Sequence, residues 1–276
     1  MDPRPAIVER RLRDVGRVVA VTGGKGGIGK SSVAVGLALA LAEDGRRVGL
    51  LDLDLWGPSD HVILGVARPA LGEDGGLVPG EIAGIRFLSI ASIVGDDPAL
   101  LRGDDISNAI LELLAVTIWD GLDVLVVDMP PGFGDTLLDA ARYLPRAEYV
   151  VVTTPSELTR VTTRKTVELL RRLDLPALGV VENLRRQADG PAAADGPEAV
   201  DRPAAGGRPA AVDRPAAGGR PAAGGRPTGS LLLLGSIGFD EAYEGALGDP
   251  ARVRATAFYR DVRAVAAALG APARQS

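Results

Sequence analysis

The chain has 276 residues, of which 46% are hydrophobic, and it carries a formal net charge of −5 at neutral pH. This length can bury one substantial core, so a single domain is expected. The acidic balance argues against a general affinity for nucleic acid. Cysteine is absent, which excludes disulfides, thiolate metal sites and cysteine nucleophiles within this chain.

The first residues of the chain show no targeting pattern. Residues 1–5 contain no apolar core of signal-peptide length, and no apolar run reaches the roughly 20 residues that span a bilayer. These patterns predict a cytoplasmic protein with no membrane partner. Residues 1–16 are interpreted as an N-terminal extension that contains a short amphipathic helix between Ile7 and Val15.

A glycine-rich segment follows the first β-branched run. Residues 24–31 read Gly-Lys-Gly-Gly-Ile-Gly-Lys-Ser and match the phosphate-binding pattern G-x-x-x-x-G-K-[ST]. Glycines permit positive φ, so successive backbone amides can turn around phosphate oxygens at the start of the next helix. The alternative is a tight strand-to-helix turn without a ligand. The predicted nucleotide-binding residues are Gly24, Lys25, Gly26, Gly27, Ile28, Gly29, Lys30, Ser31 and Ser32.

Two of these side chains have distinct predicted roles. Lys30 is expected to reach the β- and γ-phosphates of a nucleotide. The Ser31 hydroxyl is expected to bind Mg²⁺.

The apolar run of residues 47–54 ends in Asp52 and Asp54. A continuous apolar run is typical of a parallel strand buried on both faces, and its carboxyl end lies where doubly wound sheets bind ligands. Asp52 and Asp54 have the same strand parity, so they are expected to face one site. One would support the magnesium shell, which we assign to Asp52, and the other, Asp54, would orient the attacking water. The alternative is a solvated strand end.

The remaining elements are predicted from apolar periodicity and from glycine and proline positions. In chain order they are a loop or small hairpin (64–84), a strand (84–91), a helix (105–119), strands (122–128 and 147–154), a helix (158–173), a strand (178–183), a last core strand (230–237) and a final helix that starts at Pro250, with Asp249 as its N-cap, and continues to Leu269.

The strand of residues 122–128 closes on Asp128 and is followed by a Pro-Pro-Gly turn. An apolar run that ends in aspartate is typical of a Walker B strand. Asp128 is therefore predicted to hold the magnesium shell opposite Ser31. Glycines in the following turn can bring backbone amides close to the γ-phosphate.

Asn183 is the candidate contact for the nucleotide base. It ends a predicted strand, and its amide can both donate to and accept from the edge of an adenine. The alternative is a capping or turn asparagine.

Residues 185–229 have a different composition. Arg-Pro recurs every six residues, at 202, 208, 214, 220 and 226, and apolar residues larger than alanine almost vanish. Such a segment cannot bury enough surface to offset its ordering entropy, so a disordered insertion is predicted. It separates residues 17–184 from 230–270 of one domain, and residues 271–276 form a tail. Neutral repeat expansion and a binding arm both remain open.

Three motifs together resemble the Mrp group of the MinD/ParA class of P-loop ATPases. They are Lys25 within K-G-G-x-G-K-[ST], residues 52–59 as D-x-D-x-x-G-P-S, and residues 128–135 as D-x-P-P-G-x-G-D. The resemblance implies a doubly wound, mostly parallel α/β fold and hydrolysis of Mg-ATP. It also implies a homodimer in which Lys25 reaches the nucleotide of the other subunit, and it places Asp54 at the position of the water-orienting residue.

The Mrp group is implicated in iron-sulfur cluster handling, so the resemblance implies cluster client or scaffold proteins as partners. In that group a Cys-x-x-Cys pair follows the Glu-Asn strand, whereas here the position falls in a cysteine-free repeat. Thiolates are the usual ligands of such clusters, and the single His61 cannot replace them, so we expect no cluster ligation of that kind. The alternative function is a ParA- or MinD-like switch that binds or positions a partner.

Overall fold

The computed structural model describes residues 2–55, 57–66, 71–73, 75–89, 103–132, 135–186, 189 and 231–270. The strands are β1 (Arg17–Thr22), β2 (Val48–Asp52), β3 (Leu71–Glu73), β4 (Leu77–Ile82), β5 (Ile85–Ser89), β6 (Val124–Asp128), β7 (Ala147–Thr153), β8 (Ala177–Arg185) and β9 (Leu233–Gly238). The helices within these ranges are α1 (Arg4–Arg11), α2 (Lys30–Glu43), α3 (Asp60–Leu64), α4 (Gly103–Val116), α5 (Asp135–Tyr143), α6 (Glu157–Arg172), α7 (Glu241–Glu244), α8 (Pro250–Arg254) and α9 (Ala257–Gly270).

The described strands form one sheet in the order β3-β4-β5-β2-β6-β1-β7-β8-β9. Every neighbouring pair from β5 to β9 is parallel, and only the β3–β4–β5 edge is antiparallel. The prediction of a doubly wound, mostly parallel sheet is therefore confirmed. Because β1 lies between β6 and β7, the direction of winding reverses beside β1, and a ligand crevice is expected at its carboxyl end.

The sheet is covered on both faces, which explains its continuously apolar strands. Alternate residues of β1 belong to different core clusters, with Val19 and Val21 on one face and Val18 and Ala20 on the other. On the first face α2 is buried along most of its length and packs against α9. None of the described helices is long and apolar enough to cross a membrane.

The two ends of the chain depart from the sequence predictions. The first helix begins earlier than predicted, at Arg4, and buries Val8 as it packs on α4. The predicted last core strand lies at the sheet edge as β9, where only Ile237 is fully buried. Most of the Arg-Pro repeat (190–229) and the tail (271–276) lie outside the described residues, so disorder of the repeat stays a prediction.

The single final helix predicted from Pro250 to Leu269 is wrong, because α8 ends at Arg254 and α9 starts at Ala257. Thr256 explains the break. Its Oγ1 donates to the carbonyl of Val253 at 2.6 Å and accepts from the Tyr259 amide at 3.1 Å. A side-chain acceptor for an early amide starts a new helix, and an alanine-rich apolar pattern does not reveal this break.

Candidate nucleotide and magnesium site

The candidate site lies where β1, β2 and β6 end. Strand register places Asp128 of β6 beside Val21 of β1 and beside Asp52 of β2. The backbone continues this pairing past the strands, since the Leu53 amide donates to the Asp128 carbonyl at 2.9 Å. Two acids separated by 76 positions in the chain therefore stand side by side, next to the loop that leaves β1.

The loop between β1 and α2 has a backbone that requires glycine. Gly27 and Gly29 have φ of 75° and 77°, in the left-handed region. A Cβ on Gly29 would also overlap the Nδ2 atom of Asn183. Helix α2 begins directly after Gly29, and no side chain caps its N-terminus. Its first amides and its dipole therefore remain available to an anion.

The predicted loop residues take different positions around a cavity of about 220 Å³. Asp54 also lines this cavity. Ile28 is buried at 3% exposure, and Gly24 precedes the lining residues. The lining residues of the loop and of the start of α2 are Lys25, Gly26, Gly27, Gly29, Lys30, Ser31 and Ser32.

Asp128 contacts both side chains that begin α2. The Ser31 hydroxyl donates to Asp128 Oδ2 at 2.6 Å, and Lys30 Nζ donates to Asp128 Oδ1 at 3.3 Å. Asp128 is fully buried and Lys30 is 6% exposed, so this ion pair is shielded from solvent. The hydroxyl and carboxylate that the sequence predicts on opposite sides of a magnesium ion thus lie in contact.

Asp52 and Asp54 converge on the site by a different route from the one expected. Strand β2 ends at Asp52, so the parity argument for Asp54 is wrong. Instead the chain turns, and the Asp54 amide donates to Asp52 Oδ1 at 3.0 Å. Asp54 Oδ1 then accepts from the Gly57 amide at 3.2 Å. The turn places Asp54 at the cavity while Asp52 stays buried beneath it.

Asp60 is a site residue that the sequence reasoning missed. It begins α3, is fully buried, and offers a carboxylate oxygen that lies with one from Asp52 and one from Asp128 within 4.8 Å of one another. An acid in the first turn of a helix is common because it suits the helix dipole. The sequence alone therefore did not identify Asp60 as a site residue. Only the tertiary structure shows that α3 places its carboxylate beside Asp52 and Asp128.

The clustered acids perturb one another. Burial, together with the charge of Asp128, raises the pKa of Asp52 to about 7. Burial, together with the charges of Asp128 and Asp52, raises the pKa of Asp60 well above its usual range. Burial also raises the pKa of Asp128, although Lys30 and Ser31 oppose this rise. Buried carboxyl groups that raise the pKa values of one another are typical of a site that binds a cation.

Lys25 and Asn183 have opposite environments. Lys25 is exposed at the rim of the cavity and forms no ion pair among the described residues. Asn183 is 1% exposed, and its Nδ2 donates to the Ile28 carbonyl at 2.9 Å. Asn183 therefore supports the glycine loop from below, within a strand that continues to Arg185. Its contact with a nucleotide base stays a prediction.

A second cavity of about 460 Å³ lies on the other side of the loop. It is lined by Lys25 and Ile28 of the loop, by residues 154–156, and by Arg186 and Phe239. The Arg186 guanidinium stacks over the Phe239 ring at 4.8 Å. Arg186 follows β8, at the start of the segment predicted as an insertion (185–229), and Phe239 follows β9. Sequence spacing therefore could not show that they meet.

The chain is similar in sequence to a family of P-loop NTPases. A family model described as "ParA: NUBPL iron-transfer P-loop NTPase" matches residues 14–192. The iron-sulfur cluster carrier protein of Pseudomonas fragi is 47% identical over 177 residues, which cover 63% of this chain and 62% of that protein. The protein of the same name from Escherichia coli K12 is 42% identical over 176 residues, which cover 63% and 48%. This chain thus matches less than two thirds of the length of either relative.

Two solved structures resemble the fold. A nucleotide-binding protein from Archaeoglobus fulgidus in complex with ADP has 34% sequence identity and a TM-score of 0.56, over 65% of this chain and 71% of that one. The cell division ATPase MinD of Pyrococcus furiosus has 21% identity and a TM-score of 0.60, over 93% and 99%. The second likeness concerns the fold alone.

The close approach of Gly29 to Asn183 leads to a stability prediction. Gly29→Ala should lower the free energy of unfolding by at least about 1–2 kcal/mol, because an L-residue is strained at this φ and its Cβ would overlap the asparagine. Urea unfolding measures the change. Gly26→Ala is the matched control, since a Cβ at Gly26 meets nothing within 4 Å.

Adding Asn183→Ala to Gly29→Ala should recover part of the loss by removing the overlap. Equal losses of the free energy of unfolding in Gly26→Ala and Gly29→Ala would contradict the claim that the loop requires glycine at residue 29.

Proposed function

This chain belongs to the NUBPL-type family of iron-transfer P-loop NTPases, and on this premise we propose that it binds Mg-ATP and hydrolyses it between two subunits. The observation that carries the proposal is the contact of 2.6 Å between the Ser31 hydroxyl and Asp128 Oδ2. This contact lies at the uncapped N-terminus of α2, beside a loop that requires glycine. Such an arrangement suits a phosphate chain and its metal.

Lys30 and the first amides of α2 bind the phosphates. Lys30 is held by Asp128 at 3.3 Å, which is longer than an ideal charge-assisted hydrogen bond. A triphosphate offers several anionic oxygens at the neighbouring helix terminus, so the ammonium group turns from Asp128 towards them. Asp128 is then released to take part in the metal shell.

The residues present fit magnesium. Mg²⁺ prefers oxygen ligands, and the buried donors beside the cavity are a hydroxyl and carboxylates. Ser31, Asp52 and Asp128 would hold it. When bound, Mg²⁺ supplies neutralisation of the charge that develops on the β- and γ-phosphate oxygens.

Asp54 aligns the attacking water. It lies at the cavity wall with 7% exposure, and the Gly57 amide fixes one of its carboxylate oxygens at 3.2 Å. A carboxylate held in this way orients a water by accepting its hydrogen bond, and no covalent step on the protein is needed. The same hydrogen bond connects Asp54 to the Gly57–Ser59 turn, so loss of the γ-phosphate changes the conformation of that turn.

Lys25 acts across the subunit interface. Its side chain is exposed at the cavity rim and has no ion pair among the described residues, so it is free to reach a phosphate held by a second copy. The proposed active unit is therefore a homodimer with nucleotide at the interface.

The residues present do not fit an iron-sulfur cluster. The chain contains no cysteine, and the clustered donors are carboxylate oxygens, which do not match the soft ligands of such clusters. We infer that iron-sulfur client or scaffold proteins are the partners of its ATPase cycle, with the cluster ligated elsewhere. The second candidate is a ParA- or MinD-like partner-binding switch, which the absence of thiolates favours.

Two variants separate binding from turnover. Lys30→Ala should abolish nucleotide binding because it removes the buried cation that faces the phosphates. Asp54→Ala should retain binding but block hydrolysis, because the water loses its acceptor while Lys30 and the first amides of α2 still bind the phosphates. Fluorescent ATP binding and phosphate release measure the two steps. Lys165→Ala, which removes an exposed lysine on α6, is the matched control. Unchanged hydrolysis in the Lys30 or Asp54 variant would refute the mechanism.

The role of Lys25 can be tested in the Asp54→Ala background, where ATP should trap the dimer. Analytical ultracentrifugation with ATP should show a dimer for Asp54→Ala and a monomer for Lys25→Ala/Asp54→Ala, while both bind fluorescent ATP. Lys165→Ala/Asp54→Ala should remain dimeric. Equal dimerisation of all three proteins would argue against a lysine that acts across the interface.

Anaerobic reconstitution with iron and sulfide separates the two candidate functions. We expect no visible absorbance band to survive desalting, because the chain offers no thiolate. Iron-sulfur proteins that copurify with an Asp54→Ala trap would support the first candidate. ATP-dependent pelleting with DNA or liposomes would favour the switch, and a stable cluster on the chain would show the ligand argument to be wrong.

A further inference from the structure

Within the described part of the chain, Asp60 is buried without a hydrogen-bond donor to its carboxylate. Its side chain is fully inaccessible, and neither carboxylate oxygen has a hydrogen bond among the described residues. Burial of an unpaired carboxylate is strongly unfavourable, and proteins normally supply a donor or a cation. The nucleotide mechanism above does not use this group, so its position needs a separate explanation.

The donors around the other two carboxylates of the cluster are bound to those carboxylates. Asp52 Oδ2 accepts from Ser89 Oγ at 3.0 Å, and its Oδ1 accepts from the Asp54 amide at the same distance. Ser31 and Lys30 both donate to Asp128. Three buried carboxylates therefore face one lysine.

The three carboxylates have the spacing of a metal shell. One oxygen from each of Asp52, Asp60 and Asp128 lies within 4.8 Å of the others. In an octahedral magnesium shell with metal–oxygen distances of about 2.1 Å, ligand oxygens are separated by about 3–4 Å. A small inward movement of side chains at the ends of β2 and β6 and the start of α3 would produce that geometry.

We propose that Asp52, Asp60 and Asp128 form a site for a hard divalent cation, Mg²⁺ or Mn²⁺, that is occupied without nucleotide. In an ordinary P-loop site the phosphates supply much of the negative charge around the metal. Here the third carboxylate supplies that charge from the protein, and its oxygen chemistry selects hard cations over soft ones.

The proposed cation site deepens the nucleotide site and rests on the same convergence of Asp52 and Asp128. The proposal implies that the cation binds before ATP. A cation held by Asp60 ties the start of α3, and hence the Gly57–Ser59 turn, to the end of β6 before ATP arrives. The turn that reports on the γ-phosphate is then preorganised by the metal.

The test uses the full chain, freed of metal and nucleotide, with Mn²⁺ as the probe. Electron paramagnetic resonance of free Mn²⁺ should show one bound ion per chain. Asp60→Asn should weaken this binding at least tenfold, and Asp120→Asn, an exposed carboxylate in a turn, should leave it unchanged. Metal-free binding of fluorescent ATP should be similar in all three proteins.

A stability readout separates a ligand from a merely structural acid. Without metal, Asp60→Asn should melt at a higher temperature than the parent chain, because an unpaired buried carboxylate has been removed. Mn²⁺ should raise the melting temperature of the parent chain, since a ligand that binds the folded state stabilises it, and this rise should be lost in the variant.

Mn²⁺ binding to the parent chain only when ATP is present, or equal Mn²⁺ affinity in Asp60→Asn, would overturn the proposal. If hydrolysis were absent while Asp60-dependent Mn²⁺ binding persisted, the proposed ATPase would fail and the cation site would stand.

Discussion

The whole site depends on the register of one central strand. Parallel pairing of β6 with both β1 and β2 brings Asp128 beside the strand that leads to the glycine loop and beside Asp52. A shift of one residue in either pairing would turn Asp128 to the other face of the sheet and separate it from Ser31. The apolar residues that precede Asp128 are buried on both faces, so the core enforces this register.

The same register concentrates negative charge in the interior. Asp52, Asp60 and Asp128 are buried together, and Lys30 compensates only part of their charge. Such a cluster is stable when protons are shared or when a cation binds, and the raised pKa values of Asp52 and Asp60 express this competition. In the proposed function, binding of Mg-ATP relieves this electrostatic repulsion, which is a physical reason for the surrounding turns to respond to the ligand.

The clustered donors described in this chain suit hard cations and not iron-sulfur clusters. The two relatives named iron-sulfur cluster carrier proteins are 47% and 42% identical to this chain over 177 and 176 residues, and this chain contains no cysteine. Among the described residues, the clustered donors that could bind a metal are the buried carboxylates of Asp52, Asp60 and Asp128, beside the proposed nucleotide site. The proposed cation site and the proposed ATPase therefore use one electrostatic centre, and the proposed connection to iron-sulfur clusters passes through partner proteins.

The sequence by itself determined the sheet class, the glycine loop and the acids at two strand ends, because strands buried on both faces, phosphate loops and Walker B ends have local patterns. It could not determine the break at Thr256, the turn that carries Asp54, or the pairing of Arg186 with Phe239. It also could not show that Asp60 is buried beside Asp52 and Asp128. These features arise from packing between segments distant in the chain, and only the tertiary structure decides which side chains that packing brings together.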